Sequence, residues 1–446
     1  MADASSSNLG AAHEPCFGDQ RAASAGPSVW TAWLALLETA ARSSQSDQQS
    51  PGVEDHRAML LSFLKDRSRP RQLLIDVSDI ARMDHGGGIQ RVTNRLLGEL
   101  LFDPPKRHRI EPVRVTDEGV YVYARQFLST YVGLPADSLG EDQPIEFRAG
   151  DHFLGLDLIR DCAEAARPAI LAMRRAGVGI SFVVYDLLPY THPQWFPPGI
   201  DSSYNHWLHL VAETADLALC ISECVCSELK HALEEIGVQG RPPVIMNFPL
   251  GADFAGGVAT PRVMEPLPIG VARFLIVGTI ERRKGHRMVL DAFETLWAKG
   301  NEVQLVLVGK PGWLVGPLLD RLRHLRDTED RLHWFGAVDD STLASLYRES
   351  TALLAPSEGE GYGLPLIEAR WSGLPILARD MPVFREVAGV DADYFPGDHD
   401  ALVHALQAWL ARWSRGEVVA GKKQVGLWSE SAKALKAVLA EQGAFS

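Results

Sequence analysis

Twice along this chain, short apolar runs alternate with helical stretches, and that rhythm constrains the fold more than any other feature. The first series is QLLIDV (72–77), FLGL (153–156), ISFVVY (180–185) and LALCI (217–221), with helical stretches such as IQRVTNRLLGELL and YNHWLHLVAETA between them. The loop-like GADFAGGVATPRVMEPLP (251–268) breaks the series. It then restarts with RFLIVG (273–278), VQLVLVG (303–309), LHWFG (332–336), TALLAPS (351–357) and LPILA (374–378). Apolar strands alternating with helices predict a parallel sheet covered on both faces. The expectation is an α/β protein with two such domains, over 71–255 and 268–426, facing each other across a cleft. A terminal helix over 427–446 places Trp428, Ala432, Leu435 and Leu439 on one face. Residues 1–70 read as an N-terminal extension. Its start is compositionally disordered, and Trp30, Trp33, Leu34, Leu37 and Ala41 fall at helical spacing. A second helix is expected at about 53–64.

Composition excludes several classes. Net charge is −13, from 44 basic against 57 acidic residues, which argues against a uniformly basic nucleic-acid binder. Five sparse cysteines exclude a disulfide scaffold. CISECVC lacks the second ligand pair of a zinc site, so its cysteines read as small hydrophobes. No apolar run approaches the roughly 20 residues that span a bilayer. The acidic, polar start MADASSSNLGAAHEP is unlike a secretory signal, so the expected location is cytoplasmic. Residues 65–114 nevertheless hold 11 basic and 7 acidic side chains, including Lys106, Arg107 and Arg109. Such a face could rest on the anionic inner leaflet of a membrane, or simply be solvated.

The most specific string is SEGEGYGLPLIEARWSGLPILARD (357–380), at the end of the strand TALLAP. Ligands bind at strand C-terminal ends in open α/β sheets. Gly359, Gly361 and Gly363 permit close backbone approach to an anion, and a helix beginning near Pro365 offers its N-terminus to a phosphate. Glu360 falls in the loop. Glu368 falls in the helix, where a carboxylate can accept from both hydroxyls of a ribose. This string resembles the glutamate-pair motif of the retaining nucleotide-sugar glycosyltransferases of family 4. VGTIERRKGHRMVLDAF (277–293) is similar to that family's phosphate-binding segment. FGAVDDSTLASLYRESTALLAPS (335–357) is similar to its approach to the motif, and MPVFREVAG (381–389) to its segment after the motif.

The resemblance implies the GT-B architecture, two Rossmann-like domains with the donor in the cleft. It implies donor contacts from Gly278, Thr279, Arg283, Lys284, Glu360, Gly361, Tyr362, Gly363, Leu364 and Glu368. Lys284 matches the family's lysine. Many members carry an arginine where this chain has Thr279, and the resemblance passes that role to Arg283, as in the branch of the family with an Arg-Lys pair. Fixed cations there would stabilise the charge developing on a departing diphosphate. Glu360, Asp186, Arg283 and Lys284 form the catalytic set.

The first half matches less specifically. DVSDIARMDHGGGIQRVTNRLL (76–97) looks like the family's glycine-rich first loop, with Gly86, Gly87, Gly88 and Gln90 near phosphate or acceptor, or else a generic strand–helix turn. GIQRV after that loop resembles enzymes of bacterial surface polysaccharide synthesis, many of them mannosyltransferases. VVYDLLPYTHPQWFP (183–197) resembles a segment usually containing His-Asp-Leu. Tyr185 stands where the histidine would be, so only Asp186 carries over, facing the cleft or capping the next turn; His192 is a weaker candidate. Ser222 is expected to cap a helix. DAD (391–393) and DHD (398–400) are read as surface loop without metal, and HWLH (206–209) lacks the other ligands of a zinc site.

The implied reaction moves a hexose, with GDP-mannose as first donor, to a sugar hydroxyl of a glycan or lipid-linked acceptor, with retention and with no cofactor or metal. A UDP- or dTDP-sugar donor, a sugar-nucleotide epimerase and a non-catalytic nucleotide-sugar module are the alternatives. A nicotinamide oxidoreductase would need G-x-G-x-x-G after its first strand, which the loop after VGTI lacks.

Overall fold

The computed structural model describes residues 71–83, 86–106, 108–237, 240–254, 262–418 and 425–445. The readings made of residues 1–70 and of Arg107 lie outside the described residues.

The first sheet contains β1 (Arg71–Asp76), β2 (His108–Val115), β3 (Tyr121–Tyr123), β4 (His152–Gly155), β5 (Gly179–Val184), β6 (Leu217–Cys220) and β7 (Val244–Asn247). Their spatial order is β3-β2-β1-β4-β5-β6-β7, and β3 alone is antiparallel. The second sheet contains β8 (Ala272–Val277), β9 (Val303–Val308), β10 (Leu332–Phe335), β11 (Ala352–Ala355), β12 (Ile376–Arg379) and β13 (Asp393–Phe395). It is wholly parallel, in the order β10-β9-β8-β11-β12-β13. Both orders reverse beside their first strand, between β1 and β4 and between β8 and β11. These switch points open the crevices in which α/β sheets hold ligands.

Most anticipated strands are buried on both faces, with LALC of β6 and ALLA of β11 buried throughout, whereas the edge strand β10 is half-buried over His333, Trp334 and Phe335. Strand β2, HRIEPVRV, was not anticipated, because its charges hide it from a search for apolar runs. Those charges are neutralised in place. Glu111 meets Arg109 at 2.8 Å and Arg125 at 2.6 Å, and Arg114 meets Asp142 at 2.8 Å. Arg109 therefore does not belong to an outward basic face, which corrects part of the leaflet-facing reading. DAD is likewise not all loop: Asp393 opens the edge strand β13 and accepts from Arg412 at 2.7 Å. Asp398 caps the helix His399–Ser414 through the Ala401 amide at 2.7 Å.

One core runs from the first domain into the inner layer of the second, where it takes in Leu366, Ile367, Phe384 and Val387. The opposite face of the second sheet buries a separate cluster around Phe274, Phe293 and Trp409. The terminal helix Trp428–Glu441 lies against the helix Gly88–Phe102 of the first domain and buries Trp428, Ala432, Leu435 and Leu439. Lys436 Nζ meets Asp103 Oδ2 at 2.5 Å, and the Trp428 amide donates to Asp253 Oδ1 at 2.7 Å. Among the described residues, no helix is long and apolar enough to cross a membrane.

Apolar burial rather than charge should hold this last helix down. Leu435→Ala is expected to lower stability by about 2–5 kcal/mol in urea unfolding. Lys436→Ala, whose partner Asp103 is largely exposed, is expected to cost less than about 1 kcal/mol.

Candidate active site

The loop after β11 is wedged against the end of β5. A Cβ on Gly361 would sit 1.8 Å from the Tyr185 carbonyl oxygen, so no other residue fits there. Gly359 is pressed in the same way against Trp195 and Leu188. Ser222 caps the helix Glu223–Ile236 by accepting from the Val225 amide at 3.1 Å, and its hydroxyl also donates to the Gly361 carbonyl at 2.8 Å. The expected cap is thus also a tie between domains. Gly363 adopts φ +98° as N-cap of the helix Leu364–Ser372. Pro365 in the first turn has no amide hydrogen and the Leu366 amide donates to the Gly363 carbonyl at 2.9 Å, so the helix's N-terminal N–H at Leu364 is the one offered to an anion at the switch point.

Three charges meet at this loop. Lys284 Nζ lies 2.5 Å from Glu360 Oε1, and Arg283 Nη1 lies 3.3 Å from Glu360 Oε2. Arg283 also donates to the Gly359 carbonyl at 3.0 Å and to Glu281 Oε2 at 3.1 Å. All three side chains are at most 16% exposed. Burial alone would favour a protonated Glu360, but Lys284 and Arg283 override it and bring its pKa down to about 2. Burial pushes Glu281 up, against the pull of Arg283 and Lys284. His286, buried behind Lys284, is pushed down to about 4 by burial and that lysine, so it stays neutral at pH 7.

The second glutamate lies at the other end of the cleft. Glu368 is 3% exposed; Tyr347 donates to its Oε2 at 2.7 Å, and Arg91 Nη1 of the first domain lies 3.2 Å from its Oε1. Burial pushes this carboxyl up, opposed chiefly by Arg91. Asp340, on the helix Asp340–Glu349, meets Arg95 at 2.5 Å and Arg91 at 3.4 Å. Sequence reasoning did not single out Glu281, Tyr347, Arg91 or Arg95. Glu281 stands two residues from Arg283 and could have been weighed; the other three reach the site only through the tertiary fold.

The remaining expected residues divide. Asp186 lies just beyond β5, and its Oδ1 accepts from the Leu188 amide at 3.0 Å, so it does cap the turn. Burial raises its pKa while Arg283 opposes, which places it within the field of the same cluster. Tyr185 is buried and donates to the Leu156 carbonyl at 2.7 Å, so it turns into the core and replaces no histidine in the cleft. His192 stacks on Trp195 at 4.1 Å. Gly278 and Thr279 form the turn after β8 beside Lys284. Leu364 faces Gly88 across the cleft at 3.9 Å from a Cβ built there, and Lys310 likewise faces Gly86 at 3.8 Å.

The Tyr362 hydroxyl is engaged with the first domain, bonding the Leu250 amide and carbonyl at 3.2 and 3.4 Å. The Gln90 side chain is engaged within its own loop, accepting from the Gly87 amide at 3.3 Å and donating to Met83 O and Asp79 Oδ2 at 2.8 and 3.0 Å. Among the described residues, no group of His, Cys, Asp and Glu is arranged to hold a metal.

The chain is similar to known proteins in sequence and in fold. Residues 265–420 match the family described as Glycosyl transferases group 1. The chain has the GT-B fold, and its second domain is similar to the group 1 glycosyltransferases. It is homologous to the serotype-specific mannosyltransferase WbdA of Escherichia coli, 38% identical over 355 residues, which cover 77% of this chain and 42% of that protein. It also matches the O-antigen chain mannosyltransferase B of Escherichia coli, 34% identical over 239 residues covering 50% of this chain and 59% of that one. The chain spans less than half the length of WbdA. The same fold occurs in the sucrose-phosphate synthase of Thermosynechococcus elongatus, with TM-score 0.58, 17% identity and coverage of 84% and 100%. It occurs too in Anabaena HepE in complex with UDP-glucose, with TM-score 0.58, 14% identity and coverage of 83% and 99%.

The pairing at Glu360 has a pH consequence. A carboxylate near pKa 2 when folded and near 4.5 when unfolded adds stability that is present above pH 4.5 and lost as pH falls toward 2. The gap corresponds to about 3 kcal/mol. Lys284→Met raises the folded pKa, so its acid-induced loss of stability should begin at higher pH than in wild type. Urea midpoints measured from pH 6 to pH 2.5 check this, and superimposable acid limbs would contradict the pairing.

Proposed function

We propose that this protein is a retaining glycosyltransferase that moves mannose from GDP-mannose to a sugar hydroxyl of a glycan or lipid-linked acceptor during bacterial surface polysaccharide synthesis. The observation that carries the reading is the buried Arg283–Lys284–Glu360 cluster at the helix N-terminus of a group 1 domain. The mannosyltransferase names of the homologues support the sugar, and the homologue named for the O-antigen chain supports the product class. HepE, solved with UDP-glucose, shares only the fold and keeps a UDP-hexose donor as the second reading.

In this proposal Arg283, Lys284 and the amides at Gly363 and Leu364 take the diphosphate, and Glu368 takes the ribose. Both cations are already held by the carboxylates of Glu360 and Glu281, so the incoming phosphates meet donors oriented before they arrive. As the glycosidic bond to phosphate breaks, negative charge grows on the leaving oxygen, and these cations stabilise it most at that moment. Glu360, ionised at neutral pH, contacts the sugar and cannot serve as an acid there. The departing phosphate takes the acceptor's proton on the same face, so no separate base is needed and a buried Tyr185 is no obstacle. Asp186 acts from the opposite domain. None of these roles calls for a metal or cofactor. A lipid-linked acceptor would bring the first domain to the inner leaflet.

Incubation with GDP-mannose, UDP-glucose or a dTDP-sugar, with and without a mannose-containing acceptor, tests the proposal. Acceptor-dependent transfer from GDP-mannose with an α-linked product by NMR is expected. Lys284→Ala and Glu360→Gln should each lower kcat by about 10²–10³-fold. Free sugar or an isomer without acceptor would indicate an epimerase. Unchanged function in both variants would indicate a binding module.

A further inference from the structure

We infer that Arg91, carried by the first domain, completes the ribose grip of the second: it is a positioning residue that fixes and charges the Glu368 carboxylate, so the nucleotide is held tightly only when the two domains are closed on each other. The inference rests on the donor reading above and adds to it a residue and a coupling.

Arg91 and Arg95 lie one turn apart on the helix Gly88–Phe102 and point at two helices of the opposite domain. Arg91 Nη1 is 3.2 Å from Glu368 Oε1, and its Nη2 is 3.4 Å from Asp340 Oδ1. Arg95 Nη2 is 2.5 Å from Asp340 Oδ2. The Arg91 guanidinium also lies over the Phe254 ring at 5.4 Å. Two cations from one domain thus neutralise two carboxylates from the other, in a seam where the Arg91 side chain is 21% and that of Glu368 5% exposed. The charge geometry is set across the cleft, not within the donor domain.

A carboxylate offers about four lone-pair directions. Tyr347 takes one on Oε2 and Arg91 faces Oε1 as an ion pair, which leaves lone pairs on both oxygens for the two hydroxyls of a ribose. The groups facing Glu368 are Arg91 and Arg95 on the first-domain helix and Tyr347 and Asp340 on the helix Asp340–Glu349. Asp253, after β7, also faces Arg91. Without Arg91, burial and the like charge of Asp340 act on Glu368 with only the Tyr347 hydrogen bond and Arg95 opposing. The carboxyl then takes up a proton at higher pH and becomes a poor acceptor for a diol.

The test is calorimetric titration of GDP, with UDP alongside, between pH 5.5 and 8.5. It uses wild type, Arg91→Gln, Arg91→Lys, Glu368→Gln and the double variant Arg91→Gln/Glu368→Gln. Arg91→Gln should bind GDP roughly tenfold more weakly at pH 6 and recover toward pH 8.5, because its acid limb has moved up. Arg91→Lys, which keeps the charge, should restore the wild-type pH profile. If Arg91→Gln does not fold, the double variant carries the test, since both buried charges leave together; it should bind like Glu368→Gln, independently of pH. A wild-type profile in Arg91→Gln would overturn the inference. So would a pH-independent loss shared by Arg91→Lys, or a double variant weaker than Glu368→Gln, since either would make Arg91 a direct ligand contact or a purely structural residue. Failure of wild type to bind any nucleoside diphosphate would instead remove the donor reading itself.

Discussion

A carboxylate taken out of water keeps its charge only beside fixed cations. At Glu360 that requirement organises the molecule. Lys284 and Arg283 come from the turn after β8, and Glu360 comes from the loop after β11, so the ion cluster forms only because those two strands are neighbours at the switch point. The loop that delivers Glu360 can lie where it does only because Gly361 has no side chain against the Tyr185 carbonyl. Packing of the loop after β11 on the first domain and assembly of the ion cluster are therefore one event. A substituent at Gly361 would move Glu360 as well.

The cleft is closed at both ends by contacts of different kinds. Near Glu360 they are steric and neutral: glycine backbone on β5, the Ser222 hydroxyl on Gly361, and Tyr362 on Leu250. Near Glu368 they are ionic, with Arg91 and Arg95 reaching across to Glu368 and Asp340. The chain's return crossing is held by the terminal helix, whose Trp428 amide donates to Asp253 after β7, and by the ion pair of Lys436 with Asp103. In the proposed function, a diphosphate added to this frame meets cations already oriented, and a ribose meets a carboxylate already held by Tyr347 and Arg91.

Much of this was legible in the sequence because the relevant signals are local. Alternating apolar runs marked most strands of both sheets, and the SEGEGYGLP string together with ERRKG singled out Glu360, Glu368, Arg283 and Lys284, which the fold gathers along one cleft. What escaped was non-local or disguised. Strand β2 carries His108, Arg109, Glu111 and Arg114, so its burial depends on partners such as Arg125 and Asp142 that no window of sequence contains. Tyr347 and Arg91 lie inside motif segments, the approach to the glutamate motif and GIQRV, but they meet Glu368 from two other helices, and nothing local pairs them with it. Gln90 and Tyr362 sit inside the right motifs, but their side chains are engaged in holding loops, a distinction only side-chain geometry makes.

The central claim, that the cluster of Arg283, Lys284 and Glu360 receives the donor diphosphate while Glu368 receives its ribose, is tested most directly by a crystal structure of the protein with GDP bound. The account predicts phosphate oxygens within about 3 Å of Lys284, Arg283 and the amides at Gly363 and Leu364, with both ribose hydroxyls on Glu368. A nucleotide seated elsewhere, with the Lys284–Glu360 and Arg91–Glu368 pairs undisturbed and no ribose on Glu368, would contradict it.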